Sequence, residues 1–173
     1  GSGFIILYRN KKKNEIIRFK QYIEELKKSE AEKISKQTKK LSENQTDDNI
    51  MSAESEEKIL NHLEKFEESK QFLKSDVSLS WLAAYCKTNS KYLSFCINKH
   101  KGKDFNNYIN ELRVEYVILK LINDPVYKKY KIATLAEEAG FSSQNKFSMI
   151  FKSVTSITPS AFIKQLIEKG ERN

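Results

Sequence analysis

Leu82-Ala83-Ala84-Tyr85-Cys86-Lys87-Thr88-Asn89 and Leu135-Ala136-Glu137-Glu138-Ala139-Gly140-Phe141-Ser142 are one short segment written twice, 53 residues apart. The likeness continues from Leu93-Ser94-Phe95-Cys96-Ile97-Asn98-Lys99 to Phe147-Ser148-Met149-Ile150-Phe151-Lys152-Ser153, where the offset has become 54 because the second turn holds one more residue. At that offset Gly102 meets Ser156, Phe105 meets Pro159, Tyr108 meets Phe162 and Ile109 meets Ile163. Such self-similarity marks a repeated supersecondary unit. Each copy reads as a short helix whose Leu-Ala pair allows close packing, a tight turn, and a second helix opened by a polar cap, Asn89 or Ser142/Ser143. Leu93, Cys96 and Ile97 form the apolar face of one second helix, and Phe147, Ile150 and Phe151 that of the other. Two helices joined by a turn of about three or four residues make a helix-turn-helix, whose second helix enters the major groove of DNA.

Between the copies runs one long helix, about Phe105 to Ile122, with Tyr108, Ile109, Leu112, Tyr116, Leu119 and Leu121 as its apolar surface. Asp124-Pro125 ends it, since the residue before proline avoids the helical region. A rigid connector of this kind can hold two reading helices about one DNA turn, about 34 Å, apart.

Upstream, Ser52 starts a leading helix with Ile59, Leu60, Leu63 and Phe66 on one face, and Ser78 caps the first short helix. Residues 37–51 are a polar linker rich in Thr, Ser, Asn, Gln and Asp. Asn14 to about Lys36 is helical. Ile16, Phe19, Ile23 and Leu26 keep heptad spacing, but Glu30 and Lys33 break the seam, so at most a weak self-pairing is expected. Gly1-Ser2-Gly3 reads as a cloning remnant. Phe4-Ile5-Ile6-Leu7-Tyr8 is too short to span a bilayer, which takes about 20 residues. Placed against Arg9, Lys11, Lys12 and Lys13, it has the pattern of the cytoplasmic end of a transmembrane helix. The alternative is a short apolar patch.

The expected organisation is therefore 1–3 as remnant, 4–36 as a juxtamembrane helical segment, 37–51 as linker, 52–76 as leading helix and 77–173 as the double helix-turn-helix. The fold class is all-α: two helix-turn-helix subdomains joined by a long central helix. Five Gly and two Pro leave little turn chemistry for a many-stranded fold.

Charge separates the same two halves. Residues 1–76 hold 16 Lys+Arg against 15 Asp+Glu, whereas 77–173 hold 15 against 8. A basic half beside a neutral one suits a polyanionic partner. Cys86 and Cys96 sit among apolar residues without metal-ligand spacing and read as core fillers. His62 and His100 lack convergent ligands; no catalytic residue, metal site or cofactor is expected. A Gly-rich phosphate loop and a GxSxG turn are both absent from the sequence.

The second copy, KIATLAEEAGFSSQNKFSMIFKSVTSITPSAFIK, resembles the C-terminal signature of AraC/XylS-type transcription regulators. It carries the Leu-Ala-x-x-Ala-Gly-Phe opening, the aromatic-x-x-x-Phe core and the Thr-Pro-Ser-x-Phe close. The resemblance covers about Val77 to Lys164. The runs Asn89-Ser90-Lys91-Tyr92-Leu93-Ser94 and Ile97-Asn98-Lys99 resemble a membrane-tethered subgroup with a helical-repeat sensor across the membrane. Two departures stand out: Ser156 where glycine is usual, which requires strain or a different turn, and Lys164 where arginine is usual, which forfeits a bidentate phosphate contact.

The resemblance implies a sequence-specific transcription regulator on double-stranded DNA, in the cytoplasm and tethered to the inner face of the membrane, pairing as a homodimer on DNA. With the apolar faces inward, the reading surface is Ser90, Lys91, Ser94, Phe95 and Asn98 in the first copy. In the second it is Gln144, Asn145, Ser148, Met149 and Lys152. Asn and Gln pair bidentately with adenine, and Lys reaches guanine or phosphate. The resemblance points foremost to Lys91, Gln144 and Asn145. Phe95 and Met149 stand where it implies arginine; they either meet a thymine methyl or tuck against neighbouring helices. The rival reading is a helical interaction module without DNA binding.

Overall fold

The computed structural model describes the backbone of residues 2–39 and 51–170, and the side chains of 13–32 and 51–170. Among the described residues every regular element is a helix. They are α1 (Ser2–Lys39), α2 (Ala53–Ser69), α3 (Leu79–Tyr85), α4 (Ser90–Lys101), α5 (Phe105–Asn123), α6 (Ile132–Glu138), α7 (Gln144–Thr155) and α8 (Pro159–Gly170). Short 3-10 turns at Gln71–Leu73 and Tyr127–Lys129 join α2 to α3 and α5 to α6. Two compact units result, one within Asp48–Ile150 and one within Gly1–Asp47 together with Phe151–Asn173.

In the first of these units α2 begins at Ser52, whose hydroxyl accepts from the Ser55 N–H. It buries Ile59, Leu63 and Phe66 against Phe72, Leu82, Leu93 and Ile97. Phe66 is the hub: Phe72, Trp81 and Tyr85 surround its ring at 5.9–6.2 Å between centroids. Cys86 and Cys96 lie in this core as free thiols, and burial first of all raises each to a pKa of about 11. They are fillers, as inert as buried thiols are expected to be.

Helix α5 runs the length expected and stops at Asp124, but its inner face differs from the expected one. Arg113, Val114, Val117 and Ile118 are buried with Tyr108, Ile109 and Leu121, while Leu119 is exposed. Leu112 and Tyr116 are half-buried. A helix gripped from more than one side buries more than a single stripe, so hydrophobicity read along one face misplaces Leu119.

In the other unit α1 packs on α8, with Phe19 and Tyr22 edge-on to Phe162 at 5.0 and 6.3 Å. Phe19 is the buried residue of the heptad face; Ile16, Ile23 and Leu26 are half-buried. Ile16 and Ile23 line, with Gln165 and Glu168, a cavity of about 440 Å³. The side chains of Phe4–Lys12, and residues 40–50 of the expected linker, lie outside the described residues. No described helix is long and apolar enough to cross a membrane.

Candidate nucleic-acid interface

Helices α4 and α7 are each placed by a turn whose hydrogen bonds follow one scheme. In the first copy Thr88 N–H donates to the Ala83 carbonyl and Lys87 N–H to that of Ala84; in the second, Phe141 donates to Ala136 and Gly140 to Glu137. This is the Schellman motif, which needs a left-handed residue after the helix. Lys87 at φ 55° and Gly140 at φ 77° supply it. The next helix is then capped by Asn89 Oδ1, accepting from Tyr92 N–H at 2.9 Å, or by Ser143 Oγ, accepting from Lys146 N–H at 3.2 Å. Of the two serines expected to cap α7, Ser143 does so.

The far ends repeat too. Gly102 and Ser156 both sit at φ 66°. Asp104 then caps α5 through the Asn107 N–H, and Thr158 caps α8 through the Ala161 N–H. Pro159 occupies the first turn of α8, where its missing N–H costs nothing. The Thr-Pro-Ser-x-Phe close is thus a cap, a helix start and a core anchor, for Phe162 is fully buried. Ser156 adopts the left-handed turn despite its side chain. Beside it the buried Thr155 hydroxyl lies 2.8 Å from the Phe151 carbonyl and 2.9 Å from that of Ile157, tying the corner together.

These turns aim the apolar faces inward: Leu93, Cys96, Ile97, Phe147 and Phe151 are buried, and Ile150 is half-buried. Of the residues expected to read DNA, Lys91, Asn98, Gln144, Asn145, Met149 and Lys152 are exposed, and Ser90, Ser94, Phe95 and Ser148 are half-buried. Lys91 and Asn98 stand on α4 with the half-buried Ser90, Ser94 and Phe95. Gln144, Asn145, Ser148, Met149 and Lys152 share the outer side of α7.

Residues 82–165 match the sequence profile of the family described as "Helix-turn-helix domain". The transcriptional regulatory protein YesN of Bacillus subtilis is 30% identical over 89 residues, 50% of this chain and 23% of that protein. The C-terminal domain of the response regulator yesN from Fusobacterium nucleatum is 29% identical, with a TM-score of 0.50 over 64% of this chain and 99% of that one. The DNA-binding domain of AdpA, solved with a target DNA, shares the fold at 15% identity, with a TM-score of 0.56 over 66% of this chain and 97% of that one. The chain spans less than half the length of the curated relatives it matches.

The two copies use their cations differently. At the end of α4, Lys99 Nζ lies 2.9 Å and His100 Nε2 2.5 Å from one oxygen of Glu56 on α2. Burial alone would raise the Glu56 carboxyl, but the bonds from His100 and Lys99 outweigh it and hold it below the usual range. Lys99 also sits 5.5 Å over the Phe95 ring. Lys101 and the Tyr108 hydroxyl both donate to Glu67, and Lys103 pairs with Glu111. The Tyr108 hydroxyl is raised by burial and then by Glu67, so it stays protonated and donates. Cations that count toward a basic half in the sequence are here spent on internal carboxylates. Lys146 and Lys152 on α7 are exposed. Lys146, which is not among the residues expected from the sequence, stands exposed in the first turn of α7 next to Asn145.

Proposed function

We propose that this chain is the DNA-reading part of a transcription regulator, which grips two adjacent major-groove segments with α4 and α7. The observation that carries this is the repetition of turn and cap at both helices, each leaving a polar outer side beside a buried apolar one. The reading residues are those expected: Ser90, Lys91, Ser94, Phe95 and Asn98 on α4, and Gln144, Asn145, Ser148, Met149 and Lys152 on α7. Residues 77–173 act as the reading domain, with 52–76 as leading helix and 37–51 as linker. Support comes from the net +7 of residues 77–173, from the regulators among the relatives, and from the DNA held by a protein of the same fold.

The test is fluorescence anisotropy with mixed duplexes over a salt series. Binding should weaken steeply as salt rises, and Lys152→Ala should flatten the log–log slope by about 0.9 for each phosphate that the lysine neutralises. Affinity that stays flat between low and moderate salt would overturn the reading.

The finer reading places the full-length protein at the inner face of the cytoplasmic membrane and pairs two chains on neighbouring sites. Its support is the sequence Phe4–Tyr8 abutting Arg9 and Lys11–Lys13. Tethering raises local concentration and so favours pairing. Recovery of the full-length protein without detergent would count against it.

A further inference from the structure

Arg113 on α5 is buried, and the groups around it belong to the lead-ins of both helix-turn-helix copies. Its Nε donates to the Phe72 carbonyl at 2.7 Å and an Nη to the Lys74 carbonyl at 2.8 Å. Both carbonyls lie in the segment that delivers the chain from α2 into the first copy. The guanidinium carbon sits 5.6 Å over the Phe141 ring, which belongs to the turn of the second copy. Next to it, a Cβ on Gly140 would stand 2.1 Å from the Leu73 carbonyl oxygen and 3.4 Å from the Arg113 guanidinium carbon. The backbone of the second turn therefore rests directly on the connector of the first.

A planar guanidinium with donors at fixed angles is suited to this position, because it bonds two carbonyls in its plane while offering its face to an aromatic ring. Burial lowers its pKa, and the carbonyl dipoles and ring are the groups that face the charge. Apolar contacts along α5 would tolerate sliding of one turn past the other. Directional bonds to main-chain carbonyls and a close backbone approach do not.

We propose that Arg113 is the positioning residue that fixes the separation and phase of the two reading helices, and so sets the spacing of the two DNA segments this protein accepts. It touches no DNA itself. The inference rests on the two-segment reading above. One base pair more or less between segments shifts the second by about 3.4 Å and turns it by about a tenth of a revolution. A rigidly held pair of helices is sensitive to that, and a loosened pair is not.

The experiment selects bound duplexes from a pool in which both segments are fixed and the spacer length varies, then measures affinity spacer by spacer. The parent chain should favour one spacer over its neighbours by about tenfold, the size of one poorly matched base pair. Arg113→Met should bring neighbouring spacers within about twofold, while base preferences inside each segment stay as in the parent. Arg113→Lys, which keeps the charge and can still reach a carbonyl, should fall between. Phe141→Leu keeps the carbonyl bonds but removes the ring against the guanidinium, so it should loosen the spacing in part, and it tests the proposal even if Arg113→Met fails to fold, a point checked by thermal melts. A purely structural role predicts a lower melting temperature with the spacer profile unchanged. That result in any folded variant overturns the proposal. A parent chain without any spacer preference instead overturns the two-segment reading, and Arg113 with it.

Discussion

The first copy sets Lys87 and Gly102 in the left-handed region, and the second sets Gly140 and Ser156 at the equivalent places. The backbone is the same; the glycine has changed ends. A left-handed residue other than glycine costs about 1–2 kcal/mol, so each copy accepts that cost once. The surroundings explain why the cost falls where it does. A Cβ at Gly102 would meet nothing within 4 Å, whereas one at Gly140 would strike the Leu73 carbonyl. Only at Gly140 does close approach add to the conformational demand, and there a side chain is excluded. The outer faces of α4 and α7 differ as well. Met149 is 69% exposed, whereas its counterpart Phe95 is half-buried, packed against the core and covered by Lys99. Equal backbone geometry therefore does not make the outer faces equal, because Glu56 and Glu67 of α2 pair with Lys99, His100 and Lys101 at the end of α4.

The largest expected effect bears on the cores. Phe151 is fully buried and edge-on to Phe162 at 5.4 Å, so Phe151→Ala should cost about 3–5 kcal/mol. Ile97→Val at the equivalent site of the first copy should cost about 0.5–1.5 kcal/mol. Thermal melts check both, and a Phe151→Ala protein as stable as the parent would break the equivalence of the copies.

The turns come next. Gly140→Ala should cost more than the about 1–2 kcal/mol of the left-handed conformation, because the connector must also move. Gly102→Ala should cost no more than that figure. In the opposite sense, Ser156→Gly should stabilise by about 1 kcal/mol. Equal losses at Gly140 and Gly102 in denaturant melts would mean that the approach to Leu73 carries no energy.

On DNA, Met149→Ala should relax preference at one base position, where an apolar contact to a thymine methyl contributes about 1–3 kcal/mol. Phe95→Ala should do less, since part of that ring already serves the protein. Selection from a random pool with parent and both variants measures this, and identical preferences in all three would remove both side chains from the reading face.

The smallest effect is acid sensitivity confined to the first copy. Glu56 titrates below its ordinary value of 4.5 in the folded chain, so the stability it contributes is complete above that pH. It is lost as the pH falls through the lower folded value. Trp81, the single tryptophan, stacks on Tyr85 in the same core and reports the loosening by fluorescence. Glu56→Gln should flatten that part of the titration; an unchanged profile would show that the clasp is without effect.

Local sequence is enough for helices α2 to α7, the two turns, the caps at Ser52, Ser78 and Asn89, and the inward faces Leu93–Ile97 and Phe147–Phe151, whereas α1 starts earlier and ends later than its sequence pattern suggested. The former all depend on residues a few positions apart, where hydrogen-bond reach and the helical period leave few choices. The sequence also made the doubled helix-turn-helix legible, since a repeat needs only comparison of the chain with itself. Tertiary structure alone decided what depends on distant partners. Glu56 and Lys99 lie 43 residues apart, and Arg113 and the Phe72 carbonyl 41. Nothing local tells Lys99, exposed on α4, that it will pair with Glu56 on α2, and nothing in its own helix tells Arg113 to turn inward. A long charged side chain goes where packing offers it partners, and packing is settled only when the whole chain has closed around it.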